Sequence, residues 1–280
     1  MRIKAYAKIN LTLDICGKRD DGYHLLDSVM QSVSLYDLVT LEIADKIEVR
    51  CSQDSLSGEK NIAFKAAKTF FDFVKLNGGV SIFVEKNIPY PAGIGGGSAD
   101  AAAVICGLNK LYNTNLSMEQ LCDIGLKVGA DVPFCIVGGT ARVQGIGEKI
   151  TPLKPIKKTY FLLVKNGEKS STGDMYKKID DGIISPIFYT SSAVKCLENN
   201  DFSSFKTNIG NTFADICGLY RVDELLKETS PDAVSLSGSG PVVFAMYPDK
   251  HSAQDAKAFL DKKSITSYFV HSCDTAFSIE

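Results

Sequence analysis

Pro89-Tyr90-Pro91-Ala92-Gly93-Ile94-Gly95-Gly96-Gly97-Ser98-Ala99-Asp100 is the stretch on which the reading of this chain turns. Ahead of it Val80, Ile82 and Val84 alternate as a short strand, and after it Ala99 to Tyr112 is rich in Ala and Leu. The pattern predicts a helix capped by Ser98, with Asp100 in its first turn, where a carboxylate suits the helix dipole. The order is therefore strand, glycine loop, helix. Glycine lets the backbone fold tightly and approach a phosphate, and a helix start supplies unpaired N–H groups, so Gly93 to Ser98 reads as an anion cradle. A surface turn is the plainer use of such residues, but four glycines between a strand and a capped helix would weaken the fold without return. The Lys-Ser/Thr pair of a Walker loop is missing, the glycine spacing misses the dinucleotide fingerprint, and the protein-kinase signatures are absent.

A second glycine stretch, Ser237-Gly238-Ser239-Gly240-Pro241, lies between the strand-like runs Ala233 to Leu236 and Val242 to Tyr247. It is a hairpin turn or, beside the first loop, a second wall of one site. From Ile3 to Cys16 apolar and polar residues alternate, which predicts one strand with Lys8 and Asn10 on a common face. Asp131, in Gly129-Ala130-Asp131-Val132-Pro133-Phe134, sits between a helix end and an apolar run. A strand lysine is usually solvated and an Asp at such a place usually caps a turn. A carboxylate and an ammonium are nevertheless the pair a phosphoryl transfer uses, one for the hydroxyl proton and one for developing charge. Tyr23, His24 and Tyr176 are incidental on the plain view; at a pocket mouth they could stack on and hydrogen-bond a nucleobase.

The rest of the chain sets the frame. It has 280 residues, 31 Lys plus Arg against 33 Asp plus Glu, and 45% hydrophobic residues. That balance excludes fibrous and disordered classes and disfavours nucleic-acid and membrane partners. Eight cysteines without a two-residue spacing argue against zinc or thioredoxin-like motifs, three histidines without companion ligands argue against a metal site, and a charged N-terminal stretch argues against a signal peptide, so the expected setting is cytoplasmic. Helices are expected over 60–76, from Ser117 to near Gly129 with a Ser117/Gln120 capping box, over 192–206, 221–229 and 253–262. Strand-like sequence resumes at Val39 and recurs at Tyr160 to Val164 and Ser267 to Val270. Mixed elements without strict alternation indicate an α+β class. Pro152, Lys154, Pro155, Lys157 and Lys158 mark a boundary, giving lobes 1–153 and 154–280.

Three blocks, Ala7-Lys8-Ile9-Asn10 through Gly22-Tyr23-His24, Pro89 to Ala103, and Leu236 to Pro241, together resemble the GHMP small-molecule kinases, with Gly129 to Phe134 and Gly145-Ile146-Gly147-Glu148 adding to the match. The resemblance implies a two-lobed α+β fold with the active site in the cleft between lobes. It implies ATP with Mg2+ and phosphorylation of the 2-hydroxyl of a cytidine-diphosphate methylerythritol, in isoprenoid-precursor synthesis. It casts Asp131 as base and Lys8 as its electrostatic partner, Asn10 as a substrate-positioning residue, and Pro89 to Ala99 as the wrap around the ATP phosphates. Tyr23 and His24 would receive the cytosine and Tyr176 would stack opposite; the magnesium ligands are not identified by it. Two other readings stay open, a relative acting on mevalonate-type or amino-acid alcohols and a non-catalytic nucleotide or sugar sensor on the same fold.

Overall fold

The computed structural model describes residues 1–167, 171–182, 187–214 and 220–280. The opening alternation folds as two strands, β1 (Arg2–Asn10) and β2 (Thr12–Lys18), broken at Leu11. Both of its faces are covered from Ala7 to Ile15, so Lys8, Asn10, Thr12 and Asp14 are buried although they form the polar half of the pattern. Each must therefore find a partner inside. The next strand, β3 (His24–Ala44), has 21 residues and includes the stretch before Val39 that lacked a strand pattern. Its middle is covered on both faces, and strands buried on both faces do not alternate.

The chain continues through β4 (Glu48–Cys51), α1 (Ile62–Val74), β5 (Gly79–Glu85), α2 (Gly96–Leu111), α3 (Met118–Val128), the short α4 (Val132–Val137), β6 (Thr140–Gly145) and β7 (Lys149–Pro152). The Asn61 side chain caps α1 by accepting the Ala63 N–H, and Ser117 and Gln120 form the expected reciprocal box on α3. Residues 153–154 lie in the connection to β8 (Tyr160–Lys165). After α5 (Thr172–Asp180), the helix expected over 192–206 is two, α6 (Thr190–Glu198) and α7 (Phe202–Thr207), separated at Asn200 with φ 56°. The rest comprises β9 (Gly210–Asn211), α8 (Tyr220–Lys227), β10 (Ala233–Leu236), β11 (Val242–Tyr247), α9 (Lys250–Lys262), β12 (Ser267–Cys273) and β13 (Phe277–Ile279).

Among the described residues the strands join in one sheet whose main path runs β10-β11-β8-β12-β3-β1-β13, and β3 also pairs with β2, β5 and β6. The last strand lies against the first, Ile3 opposite Ile279. Helices α1 to α4 cover one core around Phe70, Ile82, Leu108 and Phe134. A second core, around Ile9, Val29, Phe161 and Phe244, joins the first strands to β8, β11 and α6. A third holds Leu162, Phe213, Tyr247 and Leu260. Residues of β1 and β2 contribute to all three, so the strand bearing Lys8 and Asn10 runs where the cores adjoin. This is the expected α+β class. Among the described residues no helix is long and apolar enough to cross a membrane.

Candidate active site

Helix α2 begins three residues earlier than its Ser98 cap would place it. Gly95, in the left-handed region at φ 75°, is the N-cap, and no side chain caps the end. Ser98 is inside the first turn, and Asp100 is buried rather than facing solvent near the dipole. The Ala99 N–H is bonded to Gly95 O at 2.8 Å, so the N–H groups of Gly96, Gly97 and Ser98 stand ahead of the helix's own ladder. They border a cleft of about 400 Å3, within the range of small-molecule sites, lined by residues 89–98 together with Ser55, Lys60, Asn61, Lys86 and Asp131. Ala99 is buried in the core and does not line the cleft.

The two glycine stretches meet. The second is indeed the turn of a hairpin, with Leu236 opposite Val243. A Cβ on Gly93, at φ 74°, would fall 2.5 Å from Gly240 O, so only glycine permits this approach. Ser237 Oγ accepts the Asn10 N–H at 3.2 Å and donates to Gly93 O at 3.4 Å, tying both loops to β1. The Lys8 N–H donates to Ile94 O at 2.9 Å, and a Cβ on Gly95 would lie 2.7 Å from Lys8 Cγ. The loops are thus laid directly on the strand that carries Lys8.

Lys8 is 3% exposed. Its ammonium donates to Asn10 Oδ1 at 2.8 Å and lies 3.1 Å from Asp131 Oδ2. Asn10 in turn donates to Ser28 Oγ at 2.9 Å. Asp131 occupies the N-cap place of α4 but makes no capping bond; its half-exposed carboxylate turns to Lys8. Lys8 and Asn10 share the face that the strand period predicts, and the meeting of Lys8 with Asp131, separated by more than a hundred residues, comes from the fold. A buried cation now holds a carboxylate at the cleft wall, where a bound hydroxyl could reach it.

The sequence reading missed a second buried lysine. Lys86 follows Val80, Ile82 and Val84 on the inward period of β5, and that continuation was the available signal. Its ammonium bonds Asp37 Oδ2 and, at 2.8 Å, Asp100 Oδ2. Asp37 Oδ1 also accepts the N–H groups of Asn87 and Ile88, whereas Asp100 Oδ1, fully buried, has no partner. Burial raises the Asp100 carboxyl well above the usual carboxylate range despite the Lys86 charge. Burial opposes the Lys86 charge too, but Asp100 and Asp37 outweigh it and the ammonium titrates above its ordinary value. A Cβ on Gly96 would be 3.3 Å from Lys86 Nζ, so this cluster is the floor of the glycine loop.

On the other side of Asp131, Ala130 lines a second pocket with Tyr23, His24, Leu126, Ile146 and Tyr176. His24 and Tyr176 come together as a stack, ring centroids 4.2 Å apart and planes 13° from parallel. Phe213 meets Tyr176 edge-on, and burial, with a smaller effect of Asp131, pushes the Tyr176 hydroxyl up to about 12. Tyr23 is 62% exposed at the rim. His24 Nε2 is bonded to Asp180 Oδ1 at 2.7 Å and Lys18 to Asp180 Oδ2 at 2.6 Å, two partners the sequence did not announce. Among the described residues no three His, Cys, Asp or Glu side chains cluster as metal ligands.

Residues 61–139 match the model of the GHMP kinases N terminal domain and residues 193–265 that of the GHMP kinases C terminal. The chain is 42% identical over 274 residues to a 4-diphosphocytidyl-2-C-methyl-D-erythritol kinase of Clostridium botulinum, covering 95% of this chain and 97% of that protein. It is 43% identical over 262 residues to the protein of the same description from Clostridium tetani, covering 91% and 94%. A crystal structure of 4-(cytidine 5'-diphospho)-2C-methyl-D-erythritol kinase superposes with a TM-score of 0.78 at 27% identity, covering 97% of this chain and 99% of that one.

Proposed function

The chain belongs to the GHMP kinases, within the family of 4-diphosphocytidyl-2-C-methyl-D-erythritol kinases, and from that premise we propose that it transfers the γ-phosphoryl group of ATP to the 2-hydroxyl of 4-(cytidine 5'-diphospho)-2-C-methyl-D-erythritol. The observation that carries the reading is the Lys8–Asp131 pair, set between the uncapped start of α2 and the pocket lined by Tyr23, His24 and Tyr176. The ATP phosphates lie along residues 89–98, held by the N–H groups of Gly96, Gly97 and Ser98 and by the helix dipole. The 2-hydroxyl faces Asp131, which accepts its proton as the oxygen bonds to the γ-phosphorus and the bond to the ADP oxygen breaks. Lys8 holds Asp131 in place, and Asn10, through Ser28 and Ser237, fixes Lys8.

The cytosine sits at His24. A base hydrogen-bonded edge to edge with the imidazole is coplanar with it and therefore lies at the same stacking height over Tyr176. Tyr23, exposed at the rim, can cover the other face. Magnesium, when bound, neutralises charge developing on the β- and γ-phosphates. The carboxylates bordering the cleft, Asp100 and Asp131, are each engaged by a lysine, so phosphate oxygens and water suit it better as ligands than a protein cage does. The free thiols of Cys16, Cys51 and Cys135 fit a reducing, cytoplasmic setting.

The test is ADP release with Mg-ATP and the cytidyl substrate. Turnover in the native chain, with Asp131→Asn and Lys8→Ala each reduced by about 10²- to 10⁴-fold while still folded by circular dichroism, is the expected result. Full activity in Asp131→Asn would overturn the assigned mechanism. Turnover on a mevalonate-type or amino-acid alcohol and none on the cytidyl substrate would overturn the substrate.

A further inference from the structure

Tyr176 and Asp180 are four residues apart on α5 and so lie on one face of that helix, both turned to the same histidine. The first stacks on the imidazole and the second bonds its edge. Helix α5 belongs to the second half of the chain, whereas His24 opens β3, so the contact is made only when the halves assemble. The bond has a consequence for what the ring can read. An ionised carboxylate offers only acceptors, so in a neutral imidazole the nitrogen that faces it must carry the hydrogen. Asp180 is kept ionised from two directions, by the hydrogen bond from Lys18 and by that from His24, which hold its carboxyl below the usual range. With the hydrogen on Nε2, Nδ1 has a lone pair and is an acceptor.

We propose that Asp180 is a specificity-determining positioning residue: by holding His24 in the Nε2–H tautomer it makes Nδ1 accept from the 4-amino group of a cytosine and turn away uracil, which carries an oxygen there. Two acceptors facing each other in a pocket leave both unpaired, and a site built around one hydrogen-bonding pattern rejects the analogue that lacks it far more strongly than an apolar pocket would. Lys18 belongs to the same device, because it occupies the second carboxylate oxygen and leaves Oδ1 to the histidine. The inference rests on the reading of His24 as the base-contacting residue, and it adds the origin of the choice between pyrimidines.

Two measurements on the full-length protein test it. Nitrogen-15 spectra of the imidazole side chains at pH 8, assigned with His24→Gln, should show His24 as the Nε2–H tautomer, and Asp180→Ala should shift it toward a mixture. Titration calorimetry with cytidine diphosphate and uridine diphosphate should show a preference for cytidine of at least tenfold, reduced at least fivefold in Asp180→Ala and largely restored in Asp180→Glu. In the kinase assay the same variant should raise KM for the cytidyl substrate while kcat and the KM for ATP stay within about twofold. An Nδ1–H tautomer in the native protein, or an unchanged cytidine preference in Asp180→Ala, overturns the proposal. If the cytidyl substrate is not phosphorylated, the catalytic reading fails; the diphosphate titration and the tautomer still decide the role of Asp180.

Discussion

Replacing Lys86 by Met removes the cation between two carboxylates while keeping most of the side chain's bulk. Lys86, Asp37 and Asp100 are all nearly solvent-free, and Lys86 lies 2.8 Å from the farther carboxylate. At an effective dielectric of about 20, one ion pair near 3 Å contributes on the order of 5 kcal/mol, and removing one partner of a buried pair typically costs about 3–5 kcal/mol. For a chain of this size that is a drop in melting temperature of roughly 6–20 °C. The pH dependence gives the sharper signature. Burial already raises the Asp100 carboxyl in the native protein, so its contribution is fully favourable below the unfolded carboxyl value and is lost as pH rises through the folded one. Without Lys86 the Asp100 carboxyl rises further, and the gap between variant and native protein is widest at pH 8 and closes as pH falls toward 5. Thermal melts followed by circular dichroism across that interval measure it, and adding Asp100→Asn to Lys86→Met should recover part of the loss at pH 8. A variant that melts with the native protein at pH 8, or a gap that does not change with pH, would refute the reasoning.

Two further outcomes are expected. Gly95→Ala places a Cβ in the left-handed region and 2.7 Å from Lys8 Cγ; a displaced ammonium should lower kcat about a hundredfold, read by ADP release, with the melting temperature lowered only by the backbone strain. Burial pushes the Cys106 thiol up to about 12 and Cys135 higher still, whereas Cys16 is exposed, so timed alkylation of the folded protein at pH 8 with mass spectrometry should label Cys16 first and leave Cys106 and Cys135 unmodified until unfolding.

Local pattern carried a large part of the fold. The capping box of α3, the strands at Val80, Tyr160, Ala233 and Val242, and the hairpin at Ser237 were all written in short-range chemistry. Where reading failed, burial had changed the rule. β3 is covered on both faces along its middle and shows no alternation there, and the start of α2 was displaced to Gly95 because a glycine in the left-handed region can begin a helix without a capping side chain. The site divides in the same way. The glycine loop announces itself, and Lys8 and Asn10 share a face by period alone, but their closeness to Asp131 and to Gly238 is tertiary. Lys86 continues the inward period of Val80, Ile82 and Val84, but nothing local tells that a lysine there is buried between two carboxylates. Asp180 became readable only once α5 existed to bring it, with Tyr176, to His24.

The pairing of β1 with β13 bears on how the protein is made. One edge of β1 is closed by β3, which follows within a few dozen residues, but the other waits for residues 277–279. During synthesis the helices α1 to α4 can already cover their core while the strand that holds Lys8 still presents an open hydrogen-bonding edge. Residues 277–279 must leave the ribosome before that edge is closed, and in the interval the nascent protein is exposed to strand pairing with its neighbours on the same message.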